Sequence, residues 1–164
     1  MRFQAAEEGI IYAPLQLIAD MNGDSAADMV MISHEAMWVY DLTSGKRLMQ
    51  SSWGPSIRTY WAATAAEPLS AGELPSLLMI NPFIPGVQVV TQDGTTAQSK
   101  WKQVVGDMEN QYHAKVKIDG GAPDPFVDLD GDGEIEILTA VTNEHADDKN
   151  HLVIFGSRTG TCLL

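Results

Sequence analysis

The chain has 164 residues, with 22 acidic and 10 basic side chains and a formal net charge of −12. A hydrophobic fraction of 45% is typical of a globular protein, and the acidic excess argues against a nucleic-acid-binding surface, which needs Lys and Arg. No apolar run approaches the roughly 20 residues of a membrane span, and the N-terminus lacks the apolar stretch of a signal peptide. The one cysteine, Cys162, excludes an intrachain disulfide and a Cys-based zinc site.

Short apolar runs separated by Gly, Pro, Asn and Asp dominate the chain. This pattern predicts strands rather than helices, and therefore an all-β fold. One of the runs, Gln111–Ile118, alternates between apolar and polar residues, as half-buried antiparallel strands do. The predicted strands, in chain order, are Leu15–Ala19, Met29–Ser33, Met37–Tyr40, Leu77–Ile80, Val87–Thr91, Gln111–Ile118, Ile135–Ala140 and Leu152–Phe155.

The order of elements recurs three times, in approximate repeats 15–65, 66–110 and 111–164 of a single region 1–164. Each repeat has a loop, two apolar strands, a polar turn with a glycine (Gly45, Gly94 or Gly160) and a further apolar segment. A unit of about 50 residues of this kind predicts a β-propeller blade of antiparallel strands. The alternative is a β-sandwich whose hairpins resemble one another by accident.

Two of the repeats begin with an acidic loop, at Asp20–Asp28 and at Asp128–Glu136. Both loops place oxygen-bearing side chains at positions 1, 3, 5 and 9 and a glycine at position 4, where the chain must turn sharply. Oxygen ligands at this density suit Ca²⁺, a hard cation that takes about 6–8 oxygens. The predicted metal ligands are Asp20, Asn22, Asp24, Asp28, Asp128, Asp130, Asp132 and Glu136.

The spacing excludes an EF-hand, which needs a bidentate Glu at position 12. Position 12 is Met31 in the first loop and Thr139 in the second, and both lie in predicted strands. The first loop is the weaker candidate, because Ser25 stands at position 6 where glycine is usual. The middle repeat has Pro68–Ser76 in place of the acidic loop and has lost the carboxylates. The simpler interpretation of both acidic loops is a solvated Asp/Gly turn.

The two acidic loops resemble the calcium loops of FG-GAP (VCBS-type) repeats. The resemblance implies β-propeller blades of four antiparallel strands, calcium at the eight ligands named above, and an extracellular or periplasmic location. The segments Val39–Lys46 and Ile154–Gly160 are also similar to the strand-turn-strand hairpins of quinoprotein-type propellers, but no quinone site accompanies them. Because propellers close with about 4–8 blades, three repeats predict an incomplete propeller, completed by self-association or by further blades from a longer chain.

The resemblance implies a non-catalytic calcium-binding module for protein or carbohydrate interaction, with a protein or glycan as ligand. Four aromatic residues, Trp38, Trp53, Trp61 and Tyr60, are candidates for a sugar-stacking platform or for core packing. The alternative function is the propeller portion of a polysaccharide lyase or another carbohydrate-active enzyme, with Tyr112, His113 and Lys115 as candidate acid/base residues. A third hypothesis is that the loops are vestigial and bind no cation.

The acidity of the chain is concentrated in the two loops. Seven of the 22 acidic side chains are predicted ligands, which leaves 15 acids against 10 bases elsewhere. The net charge therefore indicates cation binding before it indicates a basic partner.

Overall fold

The computed structural model describes residues 17–33, 36–52, 62–81, 86–104, 114–117, 125–143 and 149–164. All regular structure in these residues is β-strand, which confirms the predicted fold class. The strands are β1 (Leu17–Ala19), β2 (Asp28–Ile32), β3 (Ala36–Asp41), β4 (Arg47–Ser52), β5 (Ala62–Glu67), β6 (Ser76–Asn81), β7 (Gly86–Asp93), β8 (Thr96–Val104), β9 (Ala114–Lys117), β10 (Phe126–Val127), β11 (Glu136–Asn143) and β12 (Asn150–Gly156).

All eight predicted strands are found where they overlap the described residues. Of the predicted strand Gln111–Ile118, the described part is β9, and the remainder lies outside the described residues. Strands β4 and β8 are also absent from the predicted strands, since the repeats have only a further apolar segment at these places. The sequence patterns show no sign at all of β5 and β10. The first has the sequence Ala-Ala-Thr-Ala-Ala-Glu, and alanine has a low β-propensity. The second has only two residues, too few to show a period.

The first eight strands form one sheet in the order β1-β2-β3-β4-β8-β7-β6-β5, and its two halves, β1–β4 and β5–β8, are each antiparallel and paired in chain order. A single parallel pair, Gln50 with Thr96, joins β4 to β8, and β1 and β5 approach each other on the opposite side. Strands β9–β12 form a separate sheet, in which β12 pairs with one edge of β11. The other edge of β11 pairs with β10 near its start and with β9 near its end. We call the half β1–β4 the first sheet, the half β5–β8 the middle sheet and the strands β9–β12 the third sheet. Together they form a propeller-like stack.

The core lies between the sheets. One cluster packs the first sheet against the middle sheet, with fully buried Val30, Val39 and Met49 from the first and Leu77 and Met79 from the middle. A second cluster packs the opposite face of the middle sheet against the third: Leu69, Leu78, Ile80, Val87, Val89, Trp101, Phe126, Ile137 and Phe155. The middle sheet is therefore apolar on both faces, as its continuous apolar strands require.

The remaining face of the first sheet holds a third buried cluster of Met31, Ala36, Trp38 and Tyr40. Trp38 is only 3% exposed, so its ring is packed in the core and is not available as a sugar-stacking platform. The other three residues proposed for that platform, Trp53, Tyr60 and Trp61, lie outside the described residues.

The predicted turn glycines adopt left-handed conformations, with φ of 72° at Gly45, 59° at Gly94 and 69° at Gly160. In the first turn, the Asp41 carboxylate accepts hydrogen bonds from the Ser44 hydroxyl and from the backbone N–H groups of Ser44 and Thr43. These bonds, led by that of the Ser44 hydroxyl, lower the pKa of Asp41. They stabilise the turn above the ordinary aspartate pKa, and the stabilisation is lost as the pH falls through the lowered value.

Trp101 joins the middle sheet to the third. Its indole Nε1–H donates to the Ser157 carbonyl at 2.6 Å, and its ring centroid lies 5.7 Å from that of Phe155. Gly160 sits against the face of the indole, and a Cβ at that position would lie 2.5–2.9 Å from the ring atoms. Since real Cβ contacts are longer than this, only glycine allows the turn to close on Trp101.

We expect Gly160→Ala to destabilise the chain by about 3 kcal/mol, because it adds a steric clash to the strain of a left-handed alanine. Gly94→Ala is the matched control. Gly94 also has positive φ, but a Cβ there would meet no atom within 4 Å, so strain alone should cost about 1 kcal/mol. Urea unfolding of both variants measures the difference, and equal losses would contradict the close packing of Gly160 on Trp101.

Candidate cation site

Three loops occupy equivalent places in the three sheets. They connect β1 to β2, β5 to β6 and β10 to β11. In every case the residue before the loop pairs across the sheet with the ninth residue from the loop start. These pairs are Ala19 with Asp28, Glu67 with Ser76, and Val127 with Glu136. We call the loops 20–28, 68–76 and 128–136 the first, middle and third loops and number their residues 1 to 9.

The carboxylate at position 1 organises both acidic loops. In the first loop, Asp20 Oδ1 accepts from Gly23 N at 2.7 Å and Oδ2 from Ser25 N at 2.8 Å. In the third loop, Asp128 Oδ1 accepts from Gly131 N at 2.7 Å and Oδ2 from Gly133 N at 3.0 Å. Position 1 thus bonds to the amides of positions 4 and 6 in each loop, and the chain wraps around its carboxylate.

The side chains at positions 3 and 5 also bond in the same way in both loops. Each accepts a hydrogen bond from the backbone N–H two residues further on. The four bonds measure 2.8–3.1 Å and run from Asp24 N to Asn22 Oδ1, Ala26 N to Asp24 Oδ1, Asp132 N to Asp130 Oδ1, and Glu134 N to Asp132 Oδ1. Successive bonds of this type curl the loop so that its oxygen side chains turn inward.

The carboxylate at position 9 closes each loop by accepting from the amide of position 2. Asp28 Oδ2 accepts from Met21 N at 2.7 Å, and Glu136 Oε2 accepts from Leu129 N at 2.8 Å. The longer Glu136 makes the same bond as Asp28. The predicted ligand sets therefore belong to two loops that share five internal hydrogen bonds, and the first loop adds bonds from Asp24 N to Asp20 Oδ1 and from Asn22 Nδ2 to Asp24 Oδ2.

Positions 4 and 6 are left-handed in both loops. Gly23 and Gly131 at position 4 have φ of 79° and 80°. At position 6, Gly133 has φ of 87°, whereas Ser25 has φ of 68° and is the one non-glycine with positive φ in the described part of the chain. The first loop keeps the shape of the third at the expense of a strained serine.

In the third loop, one oxygen from each of Asp128, Asp130 and Glu136 lies within 4.8 Å of the others. Among the described residues this is the one group of three or more His, Cys, Asp or Glu side chains close enough to share a metal ion. The third loop therefore brings three of its four predicted ligands together. The first loop has only three acidic ligands, since Asn22 occupies position 3, and those three do not meet this distance criterion.

In the first loop, the feature that distinguishes the site is the buried side chain of Asp28. This side chain is fully buried, and its Oδ1 has no hydrogen-bond partner in the described part of the chain. Burial, followed by the charges of Asp24, Asp41 and Asp20, raises the pKa of Asp28, while the bond from Met21 N opposes the change. Asp41 lies directly opposite Asp28 across β2 and β3. A buried carboxylate oxygen facing like charges is the environment that a bound cation would relieve.

The three loops are connected along one rim of the stack. Leu74 of the middle loop packs against Gly23 of the first, where a Cβ would lie 3.3 Å from Leu74 Cδ2. Arg158 donates to Ser70 Oγ of the middle loop at 2.8 Å and lies 3.6 Å from the Glu134 carboxylate of the third. The sequence patterns did not indicate Arg158, because its partner Ser70 is 88 residues away.

A polar cleft of about 540 Å³ lies where β4 meets β8. Its lining is Arg47, Gln50, Ser52, Thr95 and Thr96. Neither strand contains Asp or Glu, so the cleft differs in charge from the acidic rim. Its hydroxyl, amide and guanidinium groups can hydrogen-bond a polar ligand.

The proposed acid/base residues form no described site. Tyr112 and His113 lie outside the described residues. Lys115 lies on β9 and pairs with Thr142 of β11. In the part of the chain that the structure describes, no helix is long and apolar enough to cross a membrane.

Comparison with models of known protein families and with curated proteins found no match to this chain.

Ser25→Gly should stabilise the cation-free chain by about 0.5–1 kcal/mol, because glycine relieves the left-handed strain at position 6 but adds chain entropy to the unfolded state. Urea unfolding in EDTA measures this gain. Ala26→Gly is the control: the neighbouring residue has no positive φ, so glycine there should destabilise the chain. A loss of stability in Ser25→Gly would show that the serine is not strained.

Asp28→Asn should keep or raise the melting temperature of the cation-free chain at pH 7. Since the pKa of Asp28 is raised on folding, its protonated form stabilises the fold at low pH, and this contribution is lost as the pH rises through the raised value. Asparagine keeps the acceptor for Met21 N and removes the buried charge. Melting curves from pH 3 to pH 8 test this, with Asp93→Asn as control, because Asp93 is exposed and belongs to neither acidic loop. A lower melting temperature for Asp28→Asn at pH 7 in EDTA would contradict it.

Proposed function

We propose that the chain is a non-catalytic, calcium-binding β-propeller-like module of the FG-GAP type, which binds a protein or glycan ligand outside the cell or in the periplasm. The observation that carries the proposal is the set of five internal hydrogen bonds that the two acidic loops share. The two loops begin 108 residues apart in the sequence. They nevertheless share two left-handed positions and five hydrogen bonds, one of which is the closing bond to the carboxylate at position 9. A solvated turn does not require so extensive a common arrangement.

The donor chemistry supports calcium over softer metals. The predicted ligands are carboxylate and amide oxygens, and neither loop contains His or Cys. Hard cations prefer oxygen ligands, and Ca²⁺ accepts the irregular geometry that a flexible loop presents. In this proposal, backbone carbonyls at position 7 (Ala26 and Glu134) and water would complete the coordination. The three clustered oxygens of the third loop and the unpartnered Asp28 Oδ1 of the first support both sites.

A stabilising role for the cation follows from the position of the loops. The acidic loops connect β1 to β2 and β10 to β11, and the two strands of each pair are hydrogen-bonded to each other. The carboxylates of each loop repel one another when no cation is bound. A cation that neutralises them would stabilise the sheet and the rim beside it. The rim and the polar cleft between β4 and β8 would then be available to a ligand.

Calcium should raise the melting temperature, and EDTA should lower it. At a free concentration one hundred times the dissociation constant, each site should stabilise the folded chain by about 2.7 kcal/mol. That corresponds to about 5–11 °C per site in a domain of this size. Isothermal titration should give two ions per chain, and Asp24→Ala and Asp130→Ala should each give one.

Asp93→Ala is the matched control, because Asp93 is an exposed aspartate at the end of β7 and belongs to neither loop. It should bind two ions. Identical melting curves in calcium and in EDTA would overturn the proposal and leave the loops as solvated turns. Equal stabilisation by Mg²⁺ at the same concentration would contradict the assignment to calcium.

A further inference from the structure

Two acidic residues face each other in the first sheet, beside the first loop. Asp28, at loop position 9, pairs directly with Asp41 across β2 and β3. Directly opposed residues of an antiparallel pair place their side chains on the same face of the sheet, with Cβ atoms about 5 Å apart. Asp28 is fully buried and Asp41 is 8% exposed, so the two carboxylates share a poorly solvated place at the end of these strands.

The third sheet lacks the second of these carboxylates. Glu136, at position 9 of the third loop, pairs with Gly156. Asp41 and Gly156 begin turns of the same kind. The Gly45 amide donates to the Asp41 carbonyl at 2.8 Å, and in the third sheet the Gly160 amide donates to the Gly156 carbonyl at the same distance. Of the two sheets with acidic loops, only the first therefore has an acidic residue opposite position 9.

The extra carboxylate compensates for a charge that the first loop lacks. The third loop has four acidic predicted ligands, whereas the first has three, because Asn22 stands at position 3. With Asp41 added to these three, the first loop also has four negative charges around it. Hydrogen bonds from its own turn, led by that of the Ser44 hydroxyl, lower the pKa of Asp41, so this residue is ionised at neutral pH.

The buried Oδ1 of Asp28 is the observation that points to a ligand here. Oδ2 of the same side chain accepts from Met21 N, but Oδ1 has no partner among the described residues. Burial is the largest cause of the raised pKa of Asp28, and the charges of three other aspartates add to it: Asp24, Asp41 and Asp20. A buried carboxylate oxygen among like charges has an energetic cost that a cation would remove.

We infer that Asp41 belongs to the cation site of the first loop, where its charge strengthens the binding of a divalent cation at Asp28. The inference rests on the proposed calcium function of that loop. The Asp41 carboxylate already accepts hydrogen bonds from the Thr43 and Ser44 amides and from the Ser44 hydroxyl. Asp41 therefore acts through its charge, which its turn fixes in place. Because the site is buried, solvent and salt screen the attraction only weakly.

Calcium titration of single-site variants tests the inference. Asp130→Ala leaves the site of the first loop, and Asp41→Asn added to it should raise the dissociation constant of that site about fivefold to tenfold. Asparagine keeps an acceptor for the Thr43 and Ser44 amides and removes the charge. In the Asp24→Ala chain, which keeps the site of the third loop, Asp41→Asn should leave the dissociation constant unchanged.

Ser44→Ala separates the charge of Asp41 from the shape of its turn. This variant removes the hydroxyl bond and keeps the carboxylate, so the dissociation constant of the first-loop site should stay close to that of its Asp130→Ala parent. A loss of affinity in Ser44→Ala as large as that in Asp41→Asn would assign the effect to the turn and overturn the inference.

Gly156→Asp is the converse variant in the third sheet. Gly156 has no positive φ, and the nearest atom that a Cβ there would meet is Thr159 Oγ1 at 3.5 Å, an ordinary contact. A carboxylate can therefore be placed opposite Glu136 without backbone strain. In the Asp24→Ala chain, Gly156→Asp should lower the dissociation constant of the third-loop site, and the uncharged Gly156→Asn should not.

The outcomes distinguish the inference from the function on which it rests. Absence of calcium binding to the wild-type chain would overturn both. Two ions bound by the wild-type chain, with the same first-loop dissociation constant before and after Asp41→Asn, would overturn the inference alone. Calcium affinity no higher in Gly156→Asp than in Gly156→Asn would overturn it as well.

Discussion

The burial of both faces of the middle sheet is the constraint on which the rest of the structure depends. Strands β6 and β7 present apolar side chains in both directions, so the sheet is stable only with another sheet on each side. The first sheet covers one face and the third covers the other, where Trp101 and Gly160 fix the contact. Because the sheets stack with the same strand order, their loops meet at one rim.

The carboxylates of the acidic loops both hydrogen-bond the loop backbone and bring like charges together. Within each acidic loop, the side chains at positions 1, 3, 5 and 9 accept the backbone N–H groups that the turn would otherwise leave unpaired. Those bonds also hold several negative charges close together. The folded loop thereby concentrates negative charge that the proposed cation would offset, and in the first loop the buried Oδ1 of Asp28 is left without a hydrogen bond from the described residues.

The strands with strong apolar runs could be predicted from the sequence, because a strand buried on one or both faces must show that burial in its residues. Strands β5 and β10 could not, since alanine and a two-residue bridge carry little local signal. The loop spacing singled out Ser25 as the residue that stands where glycine is usual, and the structure shows it as a left-handed serine. The ligand sets stay a prediction. The same pattern could not tell that Trp38 is packed in the core, because an aromatic residue suits a core and a binding surface equally.

Contacts between distant segments were also beyond prediction. Arg158 connects Ser70 and Glu134 through side chains that share no sequence pattern, and the register of the stack alone brings them together. The exposure of Leu129 and Leu152 is likewise a property of the whole stack, since Met21 and Met37 occupy the corresponding places of the first sheet and are buried. Whether an apolar position is covered depends on the neighbouring sheet and not on the residue itself.

The sequence by itself determined that the chain is all-β, where most strands run and which oxygen side chains belong to each acidic loop. These are local properties, set by side-chain alternation and by the turn preferences of Asp, Asn and Gly. Only the tertiary structure decided which faces are buried, that the two loops share one hydrogen-bond arrangement, and that Asp28 has an unpartnered oxygen opposite Asp41. Those features arise from contacts across sheets and strands, where packing and like-charge proximity have no counterpart in the order of residues.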